Sequence, residues 1–255
     1  MNDDTPRRND VPAPRLAVIC CGVLENEVRH FAAGLPHIDE VIILPQELHN
    51  EPARLRQELQ IAVDRAESRP EIQSIVLVFG LCSRGVENLR HERCSIVIAR
   101  AHDCLTLYLG DKDRYAEYLR RHPGTYWYTT GWIKSGAPPG PEREAHLRRE
   151  YAKKFDAEDV EYLMGVDRES MAKYNRATFV DLGIDETAGA VDYTRHCAAC
   201  LGWDFDRVAG DPSLLRDLLA GPWDERRFLI VPPLHTIRLT ADGSIVRAVP
   251  PASPP

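Results

Sequence analysis

Three apolar, strand-like runs in the first half of the chain end in side chains that can bind a metal or attack a substrate. The first run ends at Cys21, the second at Cys82, and the third at the tripeptide His102-Asp103-Cys104. If these runs are parallel strands of one open sheet, their carboxyl ends lie along one edge, which is where ligands bind in such folds. We therefore expect the three cysteines and His102 to lie close together.

Thiolate and imidazole groups are the ligands that zinc, a borderline-soft cation, prefers in proteins. The predicted zinc ligands are Cys21, Cys82, His102 and Cys104. Such a zinc ion is either structural or keeps a position for an exogenous thiol, whose pKa it lowers for attack on a methyl donor. The second form would make the protein a methyltransferase. Glu25 and Asp103 are the predicted catalytic carboxylates near the metal.

Turns that contain glycine follow the first two runs and indicate a place for a bound ligand. Glycine allows a positive φ or a close approach of the backbone, so the second turn is similar to an anion cradle in which Arg84 holds a carboxylate or phosphate. The turn lacks the Lys-Ser/Thr ending of a phosphate-binding P-loop and the glycine spacing of a dinucleotide site. The predicted ligand-binding residues are Gly22, Gly80, Ser83, Arg84, Gly85 and Trp132.

An alternative hypothesis for the same residues is a metal-free enzyme that uses a cysteine nucleophile. Cys82 or Cys104 would attack the substrate, with His102 as the activating base and Asp103 or another acid orienting it. The remaining cysteines are predicted to pack in the core, and the CxxC of Cys197 and Cys200 is too isolated to indicate zinc. The remaining histidines have no partner at ligand spacing and are predicted to lie at the surface: His30, His37, His49, His91, His122 and His235.

The elements that must position these groups alternate between strand and helix lengths, which is typical of repeated βαβ units. We predict a disordered leader over residues 1–14 and one three-layer α/β/α domain over 15–250, with a largely parallel, Rossmann-like sheet. The predicted strands are residues 16–20, 40–44, 75–79, 96–99, 125–130, 177–182 and, as a last parallel strand, 228–231. The predicted helices are residues 24–33, 52–67, 86–90, 105–121, 142–174, 192–201 and 213–220. A hairpin is expected over 236–248, and the proline-rich segment 136–141 indicates a sub-domain boundary or a loop.

Composition narrows the class of protein. The 255 residues are 44% hydrophobic, enough for an ordinary core, and the net charge of −7 with dispersed lysine and arginine makes nucleic acid an unexpected partner. Neither a signal peptide nor an apolar run of about 20 residues is present, so we expect a cytoplasmic protein without a membrane partner. Seven cysteines, an odd number, are then expected to be mostly reduced.

Several motifs along the chain resemble the bacterial and archaeal family known as domain of unknown function 1638. The matching residues are Cys20-Cys21-Gly22-Val23-Leu24, Leu81-Cys82-Ser83-x-Gly85, Arg100-x-His102-Asp103-Cys104, Leu109-Gly110, Tyr115, Thr130-Gly131-Trp132, Gly202-Trp203, Gly210-Asp211, Leu214-Leu215 and residues 223–233. The resemblance covers nearly the whole chain after the leader, and its most specific part is the His-Asp-Cys block.

The resemblance implies no established activity. Because members often occur among components of corrinoid-dependent methyl transfer, it implies a link to one-carbon metabolism, with a corrinoid protein or a small-molecule substrate as partner. It also favours the four predicted zinc ligands as site residues, whereas Cys197 and Cys200 match nothing in the family pattern. A third hypothesis follows, a non-catalytic accessory that binds a corrinoid protein or cofactor through Trp132 and the charged helices after residue 141.

Overall fold

The computed structural model describes residues 14–184 and 187–251, so the predicted leader lies outside the described residues except for Pro14. The strands of the described part are β1 Leu16–Cys21, β2 Ile38–Leu44, β3 Ser74–Val78, β4 Ser95–Ala99, β5 Thr125–Tyr128, β6 Arg176–Asp181, β7 Asp204–Ala209, β8 Phe228–Val231, β9 Thr236–Leu239 and β10 Val246–Val249. Its helices are α1 Glu25–Ala32, α2 Pro52–Glu67, α3 Cys104–Leu109, α4 Lys112–Arg121, α5 Thr130–Ser135, α6 Arg143–Tyr151, α7 Ala157–Met171, α8 Thr187–Leu201 and α9 Ser213–Ala220. None of these helices is both long enough and apolar enough to cross a membrane.

The main sheet has five strands in the order β2-β1-β3-β4-β8, and its first four strands are parallel. Every residue of β1 and β3 is buried, and all of them except Ser74 are apolar, as in strands that are covered on both faces. The prediction of an α/β protein with a mostly parallel sheet is therefore confirmed. Since β1, β2, β3 and β4 run in one direction, the turns that follow them meet at one edge, which we call the carboxyl edge.

The expectation that all strands join one sheet is wrong, because β5, β6 and β7 form a separate parallel sheet. The prediction missed β7, whose sequence Asp-Phe-Asp-Arg-Val-Ala carries too many charges to look like a buried strand. The last strand of the main sheet, β8, is antiparallel to β4 rather than parallel, with Phe228 opposite Ala99. Apolar periodicity marks a strand but does not encode its partner or its direction.

Several predicted helices have different limits in the structure. The helix expected over 105–121 is divided, because Gly110 ends α3 with a φ of 77° and Asp111 caps α4 by accepting a 2.6 Å hydrogen bond from the amide of Asp113. No helix forms at 86–90, where Asn88 has a φ of 63°. The span 142–174 is likewise divided into α6 and α7, and Asp156 caps the second helix. Side-chain capping therefore interrupts segments that helical periodicity alone joins.

The core has two parts. The larger part surrounds β1, β3 and β4 and includes Cys94, and the smaller part packs Tyr128 and Phe179 of the second sheet against Cys197 of α8. Cys94 and Cys197 are both fully buried, as predicted for core thiols, whereas Cys200 is exposed, so its predicted core position is wrong. His91 is buried as well, so its predicted surface position is wrong; its Nδ1 lies 2.7 Å from the carbonyl oxygen of Cys94.

Candidate functional site

Three thiols lie together at the carboxyl edge of the main sheet. Cys21 is the last residue of β1, Cys82 lies in the 3-10 turn that follows β3, and Cys104 is the first residue of α3. Cys21 and Cys82 are buried and Cys104 is half-buried. Each of these thiols is close enough to another for its charge to raise the neighbour's pKa. We call these three residues the thiol cluster.

The pKa values of the thiol cluster are all raised. Burial raises the pKa of Cys82 to about 12, with a further contribution from the charge of Cys21. Burial also raises the pKa of Cys104 well above its ordinary value, assisted by Cys82, Cys21 and Asp103, and burial raises that of Cys21. Without a bound cation, these groups are therefore neutral thiols at pH 7.

Asp103 is fixed beside the thiol cluster by contacts on both of its carboxylate oxygens. Its Oδ1 accepts hydrogen bonds from the amides of Leu105 at 3.0 Å and Thr106 at 3.3 Å, which caps α3. The Tyr115 hydroxyl donates a hydrogen bond to Oδ2 at 2.9 Å. The Asp103 backbone packs so tightly on Gly80 that a Cβ there would lie 2.4 Å from the Asp103 Cα. The carboxylate is thus held in one position.

A cavity of about 300 Å³ opens next to Cys104 and Asp103, between the carboxyl edge of the main sheet and the start of the second sheet. Aromatic rings provide much of its wall: Tyr108, Tyr126, Trp127, Trp132 and Tyr174. Its polar wall consists of His49, Asp103, Cys104, Thr125 and Thr129. We call this space the aromatic cavity.

The rings of the aromatic cavity brace one another. Tyr126 and Tyr174 meet edge to face with centroids 5.1 Å apart, and the indole Nε1 of Trp132 donates to the hydroxyl of Tyr126 at 3.2 Å. Thr129 caps the short helix α5 by accepting a hydrogen bond from the amide of Trp132 at 3.1 Å. Gly131, which precedes Trp132, packs against Val23, because a Cβ added to Gly131 would lie 1.8 Å from the carbonyl oxygen of Val23. This close packing sets the position of the Trp132 ring.

His49 is a site residue that the sequence interpretation missed. It lies in the 3-10 turn Gln46–Asn50 after β2, is half-buried rather than exposed, and lines the aromatic cavity. Burial lowers the pKa of His49, and the nearby Asp103 carboxylate opposes that shift. The signal that pointed to the cysteines applies here too, because His49 follows a parallel strand and so reaches the same edge.

Other predicted site residues lie elsewhere or serve packing. The side chain of His102 is exposed and does not line the cavity. Glu25 forms a 2.8 Å ion pair with Arg29 on the next turn of α1. Trp132, in contrast, lies in the cavity wall as its predicted ligand-binding role requires.

The predicted anion cradle after β3 has a mainly structural geometry. Arg84, with a φ of 72°, directs its guanidinium to Glu87 at 2.7 Å. A Cβ at Gly85 would lie 2.5 Å from Leu55 Cδ2, and one at Gly22 would lie 3.2 Å from a backbone oxygen of the β2 end. The side chain of Ser83 lies outside the described part of the structure.

Within residues 14–184 and 187–251, no three or more His, Cys, Asp or Glu side chains are already arranged to hold a metal ion. The predicted zinc ligand set therefore stays a prediction. What the structure brings together is the thiol cluster, Asp103 and the aromatic cavity with His49 at its wall.

Fold and site together define an α/β protein with an aromatic-lined cavity at the carboxyl edge of its main sheet. The chain belongs to the family described as protein of unknown function (DUF1638), whose model matches residues 43–219. The family assignment expected from the motifs is thereby confirmed, whereas the motifs at residues 20–24 and 223–233 lie outside the matched range. The matched range includes His49, Cys82 and Cys104, while Cys21 precedes it. No curated protein and no solved structure matches the chain.

Proposed function

We propose that this protein binds one soft divalent metal ion, zinc being the expected one, through Cys21, Cys82 and Cys104, and acts on a small molecule in the aromatic cavity. The reaction that fits this site is methyl transfer to a thiol, in the one-carbon chemistry that the family resemblance suggests. The observation that carries the proposal is the meeting of three thiols from three chain segments at one edge, directly beside a cavity.

The donor set fits zinc in its chemistry. A buried thiol with a raised pKa is protonated in the absence of a cation, but a coordinating metal reverses this preference and releases the proton. Because the sulfurs are not already arranged as a metal group, binding requires the three side chains to rotate toward the ion. Three protein ligands would leave a fourth position open, as in catalytic zinc sites. The metal would supply Lewis acidity that lowers the pKa of an incoming thiol.

His49 and Asp103 supply the remaining groups for this reaction. The lowered pKa of His49 keeps its imidazole neutral at pH 7, so a ring nitrogen can accept the proton of the incoming thiol. In the transfer, the sulfur forms a bond to the methyl carbon while the bond between that carbon and the donor breaks, and the electron pair leaves with the donor. Asp103 stabilises the protonated imidazole from its fixed position. A corrinoid protein is the methyl partner that the family resemblance suggests.

A metal-free cysteine nucleophile has less support. With a pKa of about 12, roughly one Cys82 in 10⁵ would be a thiolate at pH 7. Alkylation of the chelator-treated protein is therefore expected to be slow at all thiols of the cluster. Rapid and selective alkylation of Cys82 or Cys104 at neutral pH would instead favour the nucleophile.

The proposal extends to the architecture of the main sheet. The connection from β1 through α1 to β2 and the one from β2 through α2 to β3 run in opposite directions across the sheet. Right-handed crossovers then place α1 and α2 on opposite faces, which supports the three-layer, Rossmann-like arrangement. An experimental structure with both helices on one face would contradict it.

The first test is the metal content of protein purified without chelators or affinity metals, measured by elemental mass spectrometry. We expect about one zinc per chain in the wild type and its loss in Cys82→Ser and Cys104→Ser. Cys94→Ser is the matched control, because Cys94 is buried outside the thiol cluster and its sulfur already donates to the carbonyl oxygen of Ile72.

Circular dichroism must show that all three variants are folded. Zinc retained in Cys94→Ser and lost in the other two supports the proposal. A folded wild type that takes up no zinc from solution, or equal loss in all three variants, would contradict it.

A further inference from the structure

We infer that the ligand of the aromatic cavity is a small organic cation with alkyl groups on its charged centre, such as a quaternary ammonium or a sulfonium compound. The inference rests on the proposed function, because it takes the cavity as the substrate side of the thiol cluster. It adds the chemical class of the molecule that the cavity selects.

The rings are the first observation that points to a cation. Five aromatic side chains line a single cavity, and the faces of tyrosine and tryptophan rings attract cations through their quadrupole. One of these rings already has a cation of its own chain within cation–π distance, since the Lys173 ammonium lies 5.5 Å from the ring centroid of Tyr174. An alkylated cation gains from this wall in both charge and apolar contact.

The charge of the wall is the second observation. Among the described residues that line the cavity there is no lysine or arginine, whereas Asp103 contributes a carboxylate that is held from both oxygens. The other titratable base, His49, has a lowered pKa and is neutral at pH 7. The lining residues themselves therefore carry a negative charge and no positive one, which favours a positive ligand over a carboxylate or phosphate.

Size is the third observation. A volume of about 300 Å³ is at the small end of ligand pockets, which span roughly 300–1,000 Å³. The space suits a small molecule. It is too small for a corrin ring, so a corrinoid partner would have to approach from outside.

The test compares choline with 3,3-dimethylbutan-1-ol, its uncharged isostere, by isothermal titration calorimetry on the full chain. The isostere has the same shape but no charge, so the comparison isolates the contribution of the cation. We expect choline to bind at least tenfold more tightly than the alcohol. Equal affinity, or no measurable choline binding to folded protein, would overturn the inference.

Variants then locate the binding. Tyr174→Leu removes one ring of the cavity wall, and Asp103→Asn removes the charge while keeping a good cap for α3. Each is expected to weaken choline binding about tenfold. Tyr162→Leu is the matched control, because Tyr162 is 71% exposed on α7 and does not line the cavity. Equal weakening by the control would overturn the assignment to this cavity.

Titrations with and without one equivalent of zinc separate this inference from the proposed function. Choline binding by a protein that takes up no zinc would support the cation site and contradict the metal proposal. Stoichiometric zinc without choline binding would do the reverse.

Discussion

A single carboxylate connects the parts of the site at the level of residues. Asp103 caps α3, accepts a hydrogen bond from the hydroxyl of Tyr115, and lies near both His49 and the thiol cluster. Its charge raises the pKa of Cys104 and opposes the lowering of the pKa of His49. Removing this charge therefore changes two titrating groups at once, which makes neutral substitutions at Asp103 informative.

His49 makes the stability of the protein sensitive to acid. Since its folded pKa is below its unfolded value of about 6.5, the unfolded state binds the proton more readily, and stability falls as the pH decreases below about 6.5. We expect His49→Gln to lose less free energy of unfolding between pH 7 and pH 5 than the wild type does. Urea unfolding at both pH values measures this difference.

The control for that measurement is His102→Gln, which changes an exposed imidazole outside the cavity. It is expected to follow the wild-type decrease. If His49→Gln followed it too, His49 would not be the buried group that the structure describes.

The positions of the three thiols are easier to predict from the sequence than the position of His49. Parallel strands bring their following residues to one edge, so the approach of Cys21, Cys82 and Cys104 follows from the strand pattern alone. The direction of a side chain in a turn does not follow from that pattern. The structure shows both outcomes. His102 is exposed to solvent, whereas His49, which was predicted to lie at the surface, lines the cavity.

At the scale of elements, the position of α5 depends on one close backbone contact. The six-residue helix lies on the 3-10 turn Gly22–Leu24, and its Gly131 meets the carbonyl oxygen of Val23. This contact joins the first connection of the main sheet to the end of β5, and it carries Trp132 into the cavity wall. The site therefore depends on contact between the two sheets' connections.

Gly131→Ala is expected to destabilise the protein strongly. The added Cβ would lie 1.8 Å from a backbone oxygen, so α5 must move, at a cost of about 3 kcal/mol. Gly165→Ala in α7 is the matched control, since nothing lies within 4 Å of its Cβ, and it is expected to stabilise by about 1 kcal/mol. Thermal unfolding of both variants measures the contrast, and similar midpoints would disprove the contact.

Elements are predictable where the signal is local. The apolar runs of β1, β3 and β4 and the amphipathic α2 are visible in the sequence, and the structure has them close to the expected limits. The second sheet could not be predicted in this way. Whether β5 pairs with β6 or joins the main sheet depends on whether the edge of β4 is free. The antiparallel β8 takes that edge of β4, and no local pattern announces it.

For the whole molecule, the buried thiols set a limit on stability at high pH. Burial raises the pKa of Cys20, Cys21, Cys82, Cys94 and Cys104. Above about pH 9 the unfolded chain loses these protons while the folded chain keeps them, so stability falls as pH rises. Cys82 alone, with a pKa of about 12 against 9.0, contributes about 1.4 kcal/mol of this loss at pH 10.

We therefore expect the free energy of unfolding of chelator-treated, reduced protein to decrease between pH 8 and pH 10. In Cys82→Ser the decrease should be smaller by about 1 kcal/mol. Urea titrations at pH 8, 9 and 10 provide the measurement. A wild-type protein whose stability did not change over this range would show that the thiols are solvated.

Strand β8 is synthesised long after β4, the strand with which it pairs. Strand β4 is complete at Ala99, but the strand that covers its edge begins only at Phe228. A ribosome adding about 5–20 residues per second needs roughly 6–26 s to synthesise the intervening segment. During that time the nascent sheet has an open edge of the sequence Ser-Ile-Val-Ile-Ala, the kind of edge that recruits strands from other chains. The second sheet is synthesised within the same interval, so the chain has to fold it while the edge of β4 is still open.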